Sequence, residues 1–326
     1  MRSVTVHPDT LAPGDLEGYR RELTAYCYRM LGSGFDAEDA VQDTMVRAWK
    51  ASENFEGRSS VRSWLYRIAT NVCIDMIRGR QRRARPMELG PSRPPVEASL
   101  EAVLPDGSWV SPIADERVLP PEADPAEVAV AKDSIRLAFV AALQHLPARQ
   151  RATLILCEVL RWQATEAAEL LDTSVAAVNS ALQRARATMG SVDADSTPTT
   201  LGDGQRDLLA RYVDAFENYD IDRLVKLLHD DAIQSMPPYA MWLRGSADIG
   251  RFMLGPGAGC NGSRLIPLAA NGCPAFGQYK PDPEGGFSPW ALQVVEISGD
   301  RIAALNFFLD TEHLFPAFGL PDHLPE

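Results

Sequence analysis

Residues 164–189 read ATEAAELLDTSVAAVNSALQRARATM. Apolar positions at three- and four-residue spacing, broken once by small polar residues, predict a short helix (Thr165–Leu171), a tight turn (Asp172–Ser174) and a longer helix (Val175–Met189). Ser174 stands where an N-cap is needed. Asp172 occupies the turn position that calls for a left-handed backbone, which Asp tolerates better than most residues. The outline is that of a helix-turn-helix, whose second helix lays its first turns against base edges in the major groove. An αα-hairpin with no DNA role has the same outline, and this segment alone does not separate the two.

Working outward, a helix over Ala131–His145 and another over Ala148–Leu160, started by Pro147, precede the motif. Before them, nine prolines in residues 86–126 and no surviving period predict an extended acidic linker. Residues 15–85 read as helices. Leu16, Tyr19, Leu23, Tyr26, Cys27, Met30 and Leu31 share one apolar face, and Gly32-Ser33-Gly34 ends it. Asp36 is the expected cap of a second helix with Ala40, Val41, Met45, Ala48 and Trp49 inward. A turn-rich loop over Asn54–Ser60 leads to a third helix from Val61 to about Arg80, with Trp64, Leu65, Ile68, Ala69, Val72 and Ile77 as its buried stripe.

The net charge of −12 over 326 residues hides a segregation: residues 1–85 carry +3, 86–126 carry −6, 127–190 carry +1 and 191–326 carry −10. Arg58–Arg85 holds eight arginines against one acid, Asp75. A phosphate backbone responds to that local field, because salt screens charges beyond about 10 Å. The apolar fraction of 45% excludes a wholly disordered chain. No apolar run approaches the ~20 residues of a membrane span, and the first residues lack an export-signal core, so a cytoplasmic location and no membrane partner are expected. Five scattered cysteines without a CxxC predict neither a zinc site nor a redox pair; no metal, cofactor or catalytic group is expected.

After a short linker ending near residue 204 the character changes. Helices over Gln205–Asn218, Ile221–Leu228 and Ala247–Leu254 are followed by strands over Ser263–Ala270, Pro274–Tyr279, Ala291–Ser298 and Arg301–Leu309, with a hairpin turn at Gly299-Asp300. Helices first and an antiparallel sheet afterwards give an α+β domain.

The run AEDAVQDTMVRAWK (37–50), then FEGRSSVRSWLYRIATN (55–71) and a basic tail, together with LPARQRATLIL (146–156) and the helix-turn-helix, resembles the extracytoplasmic-function sigma factors of bacterial RNA polymerase. The resemblance implies a multidomain chain: an all-α region 2 over 15–85, the linker over 86–126 and an all-α region 4 over 127–190. Glu38, Asp39, Gln42, Asp43 and Arg47 then grip the core polymerase. Phe55, Arg58, Ser59, Ser60, Arg62, Trp64, Asn71, Arg78, Arg80, Arg82 and Arg83 read and melt the −10 element, where a base leaves the stack for a loop pocket. Ser174, Ala176, Ala177, Asn179, Ser180, Gln183, Arg184 and Arg186 serve the −35 element. The turn glycine of typical members is Asp172 here, and their basic pair is Asn179 and Ala181, so base preference does not carry over. The linker would thread the active-site cleft, its acids either mimicking nascent RNA or merely solvated.

Residues 204–326 resemble the SnoaL-like branch of the nuclear-transport-factor-two fold, an α+β cone, on YVDAFENYDIDRLVKLLHDDAIQSMPP (212–238), WLRG (242–245) and the late strand pair. Sigma factors with this extension form recognised subgroups, and this arrangement is similar to one of them, the actinobacterial SigG-like type. Such cones hold a base and an oxyanion donor in ketosteroid isomerases. Asp231, Tyr239, Asp310 and His313 are the titratable candidates, with Tyr212, Met236, Trp242 and Trp290 as lining. Core packing and a turn at Asp230-Asp231 account for the same residues. Three functions follow: a sigma factor whose cone regulates it through intramolecular contact or a small-molecule ligand; a small-molecule enzyme or sensor fused to a DNA-binding module; or a helix-turn-helix repressor independent of polymerase. The 37–50 helix and the SWLYRIATN run argue against the last.

Overall fold

The computed structural model describes residues 13–55, 57, 59–121, 124–190 and 202–325. Contacts divide the chain into two units. One comprises the described residues up to Arg82 and from Glu116 to Gly190; the other comprises Arg83–Asp115 and the described residues from Gly202 on. Among the described residues no helix is long and apolar enough to cross a membrane.

The first unit is all helical. Helices α1 (Pro13–Glu17), α2 (Arg20–Leu31), α3 (Gly34–Ala51) and α4 (Val61–Ile77) form its N-terminal part. α2 ends as expected, with Gly32 left-handed (φ 70°) and its N–H on the Tyr28 carbonyl. α3 is capped by Ser33, whose hydroxyl accepts from the Asp36 N–H at 3.2 Å, rather than by Asp36. A cap must precede the first helical residue, and Asp36 already lies in the first turn. α4 stops at Ile77 because Gly79 turns left-handed (φ 75°). Its buried stripe is Leu65, Tyr66, Ala69, Thr70, Val72 and Cys73, a rotation from the expected one that leaves Trp64, Ile68 and Ile77 half-buried.

After α5 (Asp115–Val118) come α6 (Pro125–Asp133), α7 (Leu137–Gln144), α8 (Ala148–Leu154), α9 (Ala164–Leu170) and α10 (Val175–Met189). The helix expected over 131–145 is two, broken at Ser134, and the one from Ala148 relaxes into a π-helical turn over Ile155–Val159. The helix-turn-helix matches its reading: α10 has the expected bounds, Ser174 accepts from the Ala177 N–H at 3.2 Å, and Asp172 is left-handed (φ 50°).

Two buried arginines join the halves of this unit. Arg151 on α8 donates through Nη1 to the Met30 carbonyl, at the end of α2, and to Gln144 Oε1 (2.5 Å). Its Nη2 reaches the Gln144 and Leu146 carbonyls, at the end of α7, both at 3.1 Å. Reciprocally, Arg29 on α2 donates to Ser134 Oγ at 2.6 and 3.1 Å and to the Ser134 carbonyl at 3.2 Å, where α6 ends. Burial pushes both guanidinium groups down to about 10, still charged at neutral pH. Their acceptors are the negative ends of helix dipoles.

In the second unit, α11 (Asp203–Glu217), α12 (Ile221–Lys226) and α13 (Ser246–Leu254) pack on one face of a six-stranded sheet of order β2-β1-β6-β5-β4-β3, and α14 (Thr311–Ala317) contacts β5. The strands are β1 (Leu228–Ser235), β2 (Trp242–Arg244), β3 (Arg264–Ala270), β4 (Cys273–Pro281), β5 (Phe287–Ser298) and β6 (Arg301–Phe308). This α+β cone departs from expectation in two respects. The sheet is mixed, because β1 pairs parallel to β6, and Asp230-Asp231 lie in β1 rather than in a helix-ending turn. A register shift between Leu228 and Ile233 leaves both acids exposed. β3 is one edge of the sheet, and it is blunted. The Leu265 N–H goes to Glu217 Oε1 at 2.8 Å, and Pro267, two residues on, has no N–H to offer.

The linker expected to be free up to residue 126 instead lies on this cone through residue 115. The Trp242 indole donates to the Gly90 carbonyl (2.9 Å), and the Trp242 carbonyl accepts from Arg93 N–H (2.9 Å). Ala102 and Leu104 bond Ala240 and Pro238, and Ile113 exchanges bonds with Asn271. Leu100 packs against the cone core, and Trp109, Val110, Ile113 and Ala114 are buried. Apolar side chains scattered among the prolines make this segment sticky without giving it a period.

Arg151→Met should lower the unfolding midpoint of the helical unit by roughly 10 °C, a loss of about 3 kcal/mol, because three helix-end carbonyls lose their donor. Calorimetry of the full chain checks this, and an unchanged midpoint would refute it. Leu100→Asp with Trp109→Ala should raise the rate of Glu-C cleavage at Glu97 and Glu101 about tenfold by releasing the segment from the cone. Equal rates would show that those two side chains do not hold it.

Candidate nucleic-acid and polymerase interfaces

The exposed face of α3 runs Asp39, Gln42, Val46 and Trp49, with Arg47 and Lys50 beside it. Asp43 and Arg47 form a bidentate i,i+4 pair at 3.1 and 2.7 Å, which presets both side chains on the helix surface. Glu38 is half-buried and paired with Arg117, just after α5 begins. Trp49 corrects the sequence reading. It was placed inward, yet it is 59% exposed, beside Val46 at 36%. Ala48, one position earlier, takes the buried site, and a 100° step turns Trp49 out. An exposed Trp among charged residues is the composition of a protein-binding hot spot.

At the loop before α4, the rings of Phe55 and Trp64 lie 4.8 Å apart in a tilted pair, neither fully buried. Ser60 caps α4, accepting from the Ser63 N–H at 3.1 Å and donating to its hydroxyl at 2.9 Å. Ser59 and Asn71 are exposed; Arg58 lies outside the described residues. The basic tail is engaged by protein groups. Arg78 pairs with Asp75 (3.2 Å), Arg80 with Asp36 (2.8 Å) and Arg82 with His145, and Arg83 donates to the Trp109 carbonyl (2.8 Å). Arg62 is the most enclosed. It is held by Glu22 at 2.9 Å, with its guanidinium 5.2 Å from the centre of the Tyr66 ring and 5.4 Å from that of Trp162.

On α10, Val178, Leu182 and Ala185 face inward, and Ser174, Ala176, Ala177, Asn179, Ser180, Gln183, Arg184 and Arg186 are exposed on the remaining surface. The first two turns therefore offer small residues, one amide and two hydroxyls. Arg184 follows on the same helix, and Arg186 is paired with Glu158. Small side chains let a helix sit deep in a groove, and Asn or Gln suits adenine.

The cone residues proposed as a pocket do not converge. Tyr212 and Met236 belong to the packed core, with Tyr239 against it. Trp242 is committed to the linker, Trp290 is 39% exposed beneath the Lys280 ammonium, and Asp231 faces solvent. Asp310 and His313 pair with each other at 2.7 Å on the exposed start of α14. Inside the cone runs a chain of neutral groups. Tyr212 donates to Gln293 Oε1 (2.6 Å), Gln293 to Gln278 Oε1 (2.9 Å), Gln278 to Ser263 Oγ (3.0 Å) and Ser263 to the Cys260 carbonyl (2.7 Å). Burial pushes the Tyr212 phenol well above its usual range. None of these groups exchanges a proton near neutral pH.

Residues 16–83 match Sigma-70 region 2, and residues 136–189 match Sigma-70, region 4. The chain is 48% identical over 314 residues to the ECF RNA polymerase sigma factor SigG of Mycobacterium tuberculosis, spanning 94% of this chain and 83% of that protein. It is 27% identical over 252 residues to SigJ of the same organism, spanning 74% and 72%. The crystal structure of Mycobacterium tuberculosis SigJ superposes with a TM-score of 0.59 at 22% identity, over 95% of this chain and all of that one, a likeness of fold. The helical body, its exposed helix-turn-helix and these matches together place the chain in the family of extracytoplasmic-function RNA polymerase sigma factors.

Proposed function

We propose that the chain binds core RNA polymerase through α3, reads the −35 element with α10 and melts the −10 element with the Phe55–Trp64 loop and α4. The observation that carries this reading is the pairing, in one helical body, of an exposed Asp39–Gln42–Val46–Trp49 stripe with an exposed recognition helix. A repressor has use for the second alone. The chain acts with polymerase in the cytoplasm and does no covalent chemistry. The neutral Tyr212–Gln293–Gln278–Ser263 chain supports a cone without catalysis, since it offers neither a base nor an acid.

The cone regulates the sigma body by holding the linker. Residues 84–115 bonded along Trp242, Pro238–Ala240 and Asn271 are not at the same time free to thread a polymerase cleft. A small-molecule ligand for the cone stays a second route to the same control.

Run-off transcription with purified core polymerase on promoters selected from genomic fragments tests both parts. The full chain should direct initiation, and a chain ending near Gly190 should change the yield. Trp49→Ala should weaken core binding by about tenfold or more, as loss of a hot-spot tryptophan does. Asn179→Ala should relax preference at one −35 base pair, at a cost of about 1–3 kcal/mol. Transcription from neither chain, with no core binding, would overturn the sigma reading.

A further inference from the structure

Trp162 belongs to the segment between the π-helical turn and α9, yet its indole packs on α4. The Tyr66 ring is 5.1 Å away, and the Arg62 guanidinium lies over both rings. One turn further along α4, Arg67 Nη2 donates to the Glu169 carbonyl on α9 at 2.9 Å. Two arginines of the helix assigned to promoter melting are thus occupied by the helix-turn-helix part of the same body. The contact is not a settled core. The Trp162 indole N–H is buried without a partner, and Arg161 beside it holds a left-handed backbone (φ 60°) that a non-glycine residue rarely adopts. Opening the contact would hydrate the indole N–H, so part of the cost of opening is returned.

We propose that Trp162 is a clasp closing region 4 onto α4, so that Arg62 and Arg67 either hold the chain shut or contact the phosphates of single-stranded promoter DNA, never both. The inference rests on the sigma reading above. In the closed form the rings and the Glu169 carbonyl take the places that bases and phosphates would fill, since stacking and charge are also what single-stranded DNA offers. Opening frees Arg67 and uncovers the face of the Arg62 guanidinium, which keeps its Glu22 partner on α2.

The test uses the full chain and a fluorescein-labelled oligo(dT) strand, read by anisotropy, with core-polymerase binding measured in parallel. Trp162→Ala should tighten oligo(dT) binding about tenfold, while Trp162→Phe, which keeps a ring over Arg62, should stay near the parent. A folded Trp162→Ala chain with parental affinity and intact core binding overturns the clasp and leaves the sigma reading standing. Loss of core binding by the parent chain strikes the sigma reading itself. If Trp162→Ala does not fold, a chain carrying Arg67→Cys and Glu169→Cys, tethered by a short bis-maleimide, decides. Weaker oligo(dT) binding after tethering supports the clasp, and equal binding before and after overturns it.

Discussion

A single guanidinium, that of Arg151, gathers the C-terminal carbonyls of α2 and α7, and the position of the helix-turn-helix against the N-terminal helices follows from it. Helix ends leave carbonyls that must find donors, and a buried cation must find negative charge. Here each solves the other's problem. Arg29 repeats the arrangement in the opposite sense at the end of α6, and Gln144 ties the two together by bonding both the Arg29 carbonyl and the Arg151 guanidinium. α3 and α10, each with an exposed face, belong to this same helical body.

The segment between the two conserved regions changes meaning once its contacts are known. Its first thirty or so residues belong physically to the cone, whereas Val118 and Leu119 are buried and the Leu119 carbonyl accepts from Arg21 on α2. Such a segment is divided between two packing surfaces of its own chain. The cone's neutral interior fits a holding role, since a chain of amides and hydroxyls gives shape and rigidity without reactivity.

Legibility in the sequence followed local physics. The helix-turn-helix was readable to within one residue because a cap, a left-handed turn and an unbroken period agreed. The Phe55–Trp64 loop and the α3 charges were found through resemblance, while Trp49 was assigned to the wrong face by one residue's phase. Strand β1 was invisible because Asp230 and Asp231 interrupt its apolar alternation, and only the irregular pairing with β6 reconciles them. The linker's docking was hidden for a different reason. Leu100, Trp109 and Ile113 bury themselves by tertiary contact with no secondary-structure period to announce it. The arginines show the same limit, since sequence gives their charge but not whether Glu22, Asp36 or a helix end has already claimed it.

The neutrality of the acceptors around Arg151 has a consequence for acid. A guanidinium held by a carboxylate loses its hold when that carboxylate takes up a proton. Arg151 is held by three carbonyls and an amide oxygen, none of which protonates under any condition a cell meets. The Arg151 contacts at this seam are therefore indifferent to acidification, as an ion pair with a carboxylate is not.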